Sequence, residues 1–325
     1  MLILLAPLIF FALIRVGFFN FQIINEWLIQ LQNLCAQGYA RSEHHEILSA
    51  MVCGKPPVTR QILTDWSTTG LLPVLIGAGT HFIFFERFLN RLLKNHPTLL
   101  KTSLFLFVCV TGFSPALTRG LVTQLISDFN ARWKLGLRFP QIWLFSLIFC
   151  LGFCPQWMTS LGFIISAQCG LLMYLSYRIF QKNKKRKVTM MNLKFYVLRV
   201  VLFTIGLMPL FRILGLPVLH PFTLIIQSIG IPIAGLILFP IGMSERIFTA
   251  LQPFCDELWN WVQLWIHHEA QALPPLMNPS HHFFSQVHYV LGWNLVGGFF
   301  ALVFLLDFKR KTKLSSQDIL VPSRF

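Results

Sequence analysis

Charge is what this sequence has least of, and negative charge least of all. Charged residues fill 12% of its 325 positions, about half the share of roughly 25% in soluble domains. Only 12 residues are acidic against 27 Lys and Arg, a formal net charge of +15. No Gly-x-x-x-x-Gly-Lys-Ser/Thr loop occurs, so nucleotide hydrolysis is not expected of this chain. His44-His45-Glu46 would need a histidine at position 49 to form the HExxH zinc motif, and that position is Ser49. The seven cysteines, Cys35, Cys53, Cys109, Cys150, Cys154, Cys169 and Cys255, are odd in number and include no Cys-x-x-Cys pair. Neither a disulfide framework nor a zinc site is expected from them, and Cys150 and Cys154, one turn apart, read as small apolar packing residues. His267, His268, His281 and His282 lack any ligand spacing. No metal, no cofactor and no catalytic constellation is therefore expected. The chain also starts without a basic segment or a small-residue cleavage site, so its first apolar run reads as a retained membrane helix.

What is present is apolar. Hydrophobic residues make up 55% of the chain, with 33 Phe and 9 Trp, and the mean hydropathy is +0.63. These values predict an all-α, polytopic membrane helical bundle. Glu26 to about Ala50 reads as an amphipathic helix lying in the interface, with Trp27, Leu28, Leu31 and Leu34 at helical spacing. Asp65 and Glu86 bound an uncharged run that contains Gly77-Ala78-Gly79-Thr80-His81. His81 either packs within the bundle or faces a polar pathway. The run between Arg138 and Arg178 would be nearly twice a hydrocarbon core of roughly 30 Å as one helix, so Gly152-Phe153-Cys154-Pro155 is expected to fold it into a hairpin. The basic cluster from Gln181 to Lys187 reads as cytoplasmic. A helix from about Leu193 to Ile213 carries Arg199 and Arg212, and Arg212 is placed to snorkel. Glu245 to Asn278 is amphipathic and Trp-rich, a second interfacial helix. Gln286 to Leu306 reads as a last span before a basic tail. With the uncharged, proline-rich run between Arg212 and Glu245, three candidate spans separate two cytoplasmic segments, so either the Trp-rich helix dips through the membrane or a Pro-rich segment is a hairpin.

The organising stretch is Thr111-Gly112-Phe113-Ser114-Pro115-Ala116-Leu117-Thr118-Arg119-Gly120. Pro115 forces Ser114 out of the α region, so a helix must break there. Broken backbone at membrane depth needs surrounding protein or a water-filled cavity, and an arginine at that depth points to a polar interior. Basic residues flank both sides, so residues 102–130 are expected to form a re-entrant hairpin with Arg119 on the returning limb.

This stretch resembles the Gly-Phe-Ser-Pro…Arg-Ala motif of the ComEC competence family, inner-membrane DNA channels of natural transformation, with Gly120 in place of the alanine. Thr69-Gly70-Leu71 and Gly77 to His81 resemble that family's Thr-Gly-Leu…Ser-Gly-Leu-His signature, departing at Pro73, Ala78 and Thr80. Ser160 to Ala167 resembles its Ser-x-Gly-Phe-x-Leu-Ser…Ala segment, with Cys154 in place of an upstream Asn. Ile231 to Gly242 resembles its proline helix, with Pro232 and Pro240 at the family spacing and Gln227 where Asn is usual. The resemblance spans roughly Ala50 to Met243. No His-x-His-x-Asp-His signature is present, so it implies the membrane competence domain without hydrolytic chemistry. The expected organisation is an N-terminal anchor and interfacial helix over 1–49, a channel domain over 50–307 and a basic tail over 308–325.

The resemblance implies a multi-pass protein of the bacterial inner membrane that conducts single-stranded DNA into the cytoplasm. Its partners would be single-stranded DNA, an anionic lipid bilayer and separate DNA receptor, nuclease and cytoplasmic ATPase proteins, with a homo-oligomer as an option. Strand phosphates crossing a low-dielectric slab require cations, amides and helix dipoles. Arg119, His81, Gly79, Arg199 and Gln227 are the candidates for the translocation path. Gly112, Phe113, Ser114 and Pro115 form the broken-helix motif, and Gly162, Ser166, Pro232 and Pro240 pack helices or line the path. The alternatives are a transporter of a small anionic or lipid-linked solute, with Arg119 on its charged group, or a degenerate structural relative.

Overall fold

The computed structural model describes residues 22–55, 59–75, 79–93, 96–181, 188–214, 216, 223, 226, 230, 233, 237–247, 251–272 and 286–308. Among these residues every regular element is helical. None of the described helices is long and apolar enough to cross a membrane. The described residues thus form an all-helical bundle. The expected span at 1–21, the basic loop at 182–187, Gln227, Pro232 and the tail at 309–325 lie outside the described residues.

The first amphipathic stretch is two helices rather than one, α1 (Gln22–Gln37) and α2 (His45–Cys53). Between them the chain turns at Gly38, whose N–H reaches the Leu34 and Cys35 carbonyls. The turn folds α2 back on α1 and joins Cys35 to Cys53 in a disulfide, with Cα atoms 5.9 Å apart. This corrects the expectation of no disulfide. The other described cysteines, Cys109, Cys150, Cys154, Cys169 and Cys255, are free thiols.

Three short helices follow, α3 (Arg60–Thr68), α4 (Leu72–Leu75) and α5 (Gly79–Leu92). Gly70, at φ +75°, separates the first two. Next come α6 (Pro97–Val110) and α7 (Pro115–Trp133), each opened by a proline in its first turn. Proline is tolerated there because the first helical N–H groups have no intrahelical partner. Lys134 and Gly136 take left-handed backbone angles and turn the chain into α8 (Phe139–Phe153). Asn130 closes that turn, donating Nδ2–H to the Leu137 carbonyl and accepting the Leu137 N–H on Oδ1, at 3.0 and 2.8 Å.

The run from Arg138 to Arg178 does fold as a hairpin. A 3-10 turn (Pro155–Thr159) separates α8 from α9 (Leu161–Gln181). Helix α9 is the centre of the bundle, packing against α4, α7, α8, α10 (Val188–Ile213) and α13 (Gln286–Phe308). Its Phe163, Ile164, Ile165, Ala167, Leu171 and Leu172 are all buried. A helix that is apolar all round belongs inside a bundle. The remaining described helices are α11 (Phe239–Ile247) and α12 (Gln252–Ala272). Helix α12 packs on α3 and α11, and α11 packs on α2, so the disulfide-linked corner and the Trp-rich helix share one flank.

Candidate functional site: a helix break over a buried arginine

The break between α6 and α7 is built from local chemistry. At the end of α6 the Phe113 N–H bonds the Val108 carbonyl at 2.9 Å and the Gly112 N–H bonds the Cys109 carbonyl at 3.0 Å. This is the Schellman pattern, which needs a left-handed residue at its glycine position. Gly112 supplies it at φ +64°, and Phe113 is left-handed too, at φ +55°. Left-handed φ is uncommon for a residue with a Cβ and is held only where its surroundings over-determine it. Around Phe113 the rings of Trp27 and Phe105 stand 5.9 and 6.3 Å away. Ser114 is then extended, and α7 begins at Pro115.

Gly112 is required for a second reason. A Cβ there would come within 2.8 Å of the Cys35 Cβ and of the Leu31 carbonyl oxygen. The other half of the disulfide reaches the same place, since Gly54, directly after Cys53, lies against Ser114 and Pro115. Gln32 fastens the corner internally by donating Nε2–H to the Cys53 carbonyl at 3.0 Å. The corner made by α1 and α2 therefore sits on the break.

One turn into α7, Arg119 is 7% exposed. Its Nε–H donates to Ser166 Oγ at 3.0 Å and its Nη2–H to the Ser166 carbonyl at 2.8 Å. Among the described residues no carboxylate forms an ion pair with it. Trp143, on α8, donates its indole N–H to the neighbouring Ala167 carbonyl at 3.0 Å. Both donors reach α9 because Gly170 carries no side chain: a Cβ there would lie 3.1 Å from the Trp143 ring and 3.3 Å from Arg119 Nη1. Buried polar donors need such partners, and backbone carbonyls, with two lone pairs, can take a second donor. Helix α7 is also tied to α5 by Gln124 Nε2–H to Glu86 Oε1 at 3.0 Å and to α6 by the Lys101–Asp128 ion pair at 2.9 Å.

Of the residues singled out in the sequence, Arg119 and Ser166 meet directly, and Gly112, Phe113, Ser114 and Pro115 lie together at the break. Gly162 is buried in the first turn of α9, and Pro240 is exposed near the start of α11. Gly79 and His81 fall on the backbone of α5 and Arg199 on that of α10, and the His81 and Arg199 side chains lie outside what the structure describes. Sequence reasoning did not find the Cys35–Cys53 bond, Trp143 and Gly170 as partners of Arg119, or the pair formed by His267 Nδ1 and Asp65 Oδ2 at 2.8 Å. That pair joins α12 to α3 in an open cleft that Thr59, Gln61, Asn260 and Gln263 also line. Nothing in the sequence links residues so far apart. No group of three or more His, Cys, Asp or Glu among the described residues could hold a metal ion.

The sequence model of a family described as "Competence protein" matches residues 67–311, more than half of the chain. No curated protein matches the chain, and no solved structure does.

Proposed function

The chain belongs to the competence protein family, which ties it to DNA uptake, and we propose that it carries single-stranded DNA across the bacterial inner membrane. The observation that carries this reading is the buried break with an arginine one turn beyond it that pairs with no carboxylate among the described residues. A helix end presents a partial positive charge at its N-terminus, and half-helices at membrane depth use it on anionic groups. A buried cation without a counter-ion adds a full positive charge to that end. The strand's phosphates are the anion that family membership and the +15 net charge favour.

The bilayer setting is supported by composition and by the outer faces of the bundle. Leu99, Phe105, Leu106, Leu125, Phe129 and Trp133 are exposed along α6 and α7, and exposed apolar patches of this kind mark contact with lipid or partners. The Cys35–Cys53 bond supports a setting for the α1–α2 corner on the oxidising side of that membrane. In the present conformation both Ser166 contacts occupy Arg119, so conduction requires it to be released toward the strand. No chemical step is assigned to the chain.

The test is transformation with labelled donor DNA in a competent host, comparing wild type, a deletion and Arg119→Ala at matched protein level. DNA held outside the inner membrane in both variants is the expected result. Normal DNA entry in the deletion strain would overturn the proposal.

A further inference from the structure

The N-terminal end of α7 is a polar site left without a partner. Ser114, its N-cap, is fully buried. Its hydroxyl oxygen has no hydrogen-bond partner, and it makes no side-chain capping bond. Capping serines ordinarily accept an N–H from the first turn. Here the first bond of the helix is the Thr118 N–H to the Ser114 carbonyl, at 2.9 Å, and Pro115 has no N–H to offer. A buried hydroxyl without a partner in a native structure calls for an explanation. An N-terminus of a 19-residue helix with such a hydroxyl beside it has the chemistry of an anion site.

What covers this end is the disulfide-linked corner. Gly54 lies directly over Ser114, with room for no Cβ: one built there would overlap the hydroxyl and stand 3.2 Å from Pro115 Cδ. Gly112 makes the matching close approach to Leu31, Gln32 and Cys35. The seat is backbone against backbone, made through two glycines, and the corner gives Ser114 no hydrogen bond. Cys35–Cys53 and the Gln32 bond to the Cys53 carbonyl hold the two sides of the corner as one piece.

We propose that the end of α7 binds a phosphodiester group of single-stranded DNA, and that the α1–α2 corner is the cover that closes this site when no strand is present. The proposal rests on the uptake reading above. It adds the binding site itself and what closes it. Arg119, one turn further along the same helix, is the next positive group a strand would meet.

The experiment is hydrogen–deuterium exchange of residues 111–119 in the full chain, held in nanodiscs of phosphatidylcholine so that no anionic lipid supplies the phosphate. Wild type is compared with Cys35→Ser/Cys53→Ser and with Gly54→Ala, which forces the cover off Ser114 while leaving the disulfide intact. Wild type should exchange slowly with or without a short oligothymidylate. Both variants should exchange at least tenfold faster in this segment alone, and oligothymidylate should restore the protection. Adding Ser114→Ala to either variant should raise the oligothymidylate concentration needed at least tenfold. If the cysteine pair also loses protection in α8 and α9, Gly54→Ala decides. Unchanged exchange in Gly54→Ala overturns the cover. Faster exchange that phosphatidylglycerol suppresses and oligothymidylate does not overturns the DNA site. Either failure, alongside a deletion strain that still blocks DNA entry, sinks this proposal and leaves the uptake reading standing.

Discussion

Replacing Ser166 should harm the bundle more than replacing the arginine it holds. Ser166→Ala removes the acceptor of the 3.0 Å bond from Arg119 Nε and leaves only the 2.8 Å bond to the carbonyl. A bond to a charged group is worth about 1.5–3 kcal/mol, and an orphaned buried donor loses its desolvation energy as well. The Ser166→Ala variant should therefore lose about 2–3 kcal/mol of stability. Arg119→Met removes the buried charge together with its need for partners. Methionine is unbranched and fills irregular space beside Trp143, Cys150 and Cys169, and shape-conserving apolar replacement costs under about 1.5 kcal/mol. Uncharging a buried site is often neutral or stabilising. The double variant should be at least as stable as Arg119→Met, because Ser166→Ala then removes a buried hydroxyl that the methionine leaves without its partner. Thermal and denaturant unfolding in mild detergent, followed by tryptophan fluorescence, measures all three. The same Arg119→Met protein should fail in DNA uptake while folding normally. The reasoning is refuted if Arg119→Met loses more stability than Ser166→Ala, since the arginine would then be a structural fastener rather than a cation kept in reserve.

Other outcomes follow from single contacts. Gly112 and Gly136 both have left-handed backbones, at φ +64° and +68°, but only Gly112 is crowded, and nothing lies within 4 Å of a Cβ at Gly136. Gly136→Ala should cost about 1–2 kcal/mol from backbone strain alone, whereas Gly112→Ala should cost about 1–3 kcal/mol more from overpacking against Cys35 and Leu31; equal losses in unfolding would contradict the contact. Trp143→Phe should lose about 1 kcal/mol with its N–H to Ala167 and keep the ring stack on Phe300 at 5.1 Å, while Trp143→Ala should lose about 3–5 kcal/mol. Glu245 lies beyond the apolar run that ends at Met243, and burial holds its carboxyl above the ordinary range, a hydrogen bond with Ser42 opposing this and Asp256 adding to it. The folded chain thus binds this proton more tightly than the unfolded chain does. Its contribution to stability is full below the ordinary carboxylate pKa and is lost as pH rises through the raised one. Glu245→Gln should flatten that part of the melting-temperature profile against pH, and an unaltered slope would remove Glu245 as its source.

Much of the site was legible because its chemistry is short-range. Proline acts on the residue before it and glycine on its own φ, so Gly112 to Pro115 specifies a break wherever the rest of the chain runs. The apolar run from Arg138 to Arg178 exceeds any single span, so a fold-back followed from length, and Gly152 to Pro155 marked where. The same local reasoning failed between Glu26 and Ala50. Apolar spacing continues across Gly38 and Tyr39, so periodicity did not reveal the turn that separates α1 from α2.

By itself the sequence determined an all-helical chain, a break at Ser114, a strongly basic charge and membership of the competence family. The first three depend on composition or on residues within a few positions of one another, and the family on motifs in chain order. Only the tertiary structure decided that Cys35 meets Cys53 against the break, that Arg119 is held by Ser166, 47 residues away, and that Asp65 meets His267, 202 residues away. Those pairings depend on how the helices pack. An arginine on one helix and a serine and a glycine on another carry no mark of their partners until the backbones come close enough for side chains to touch.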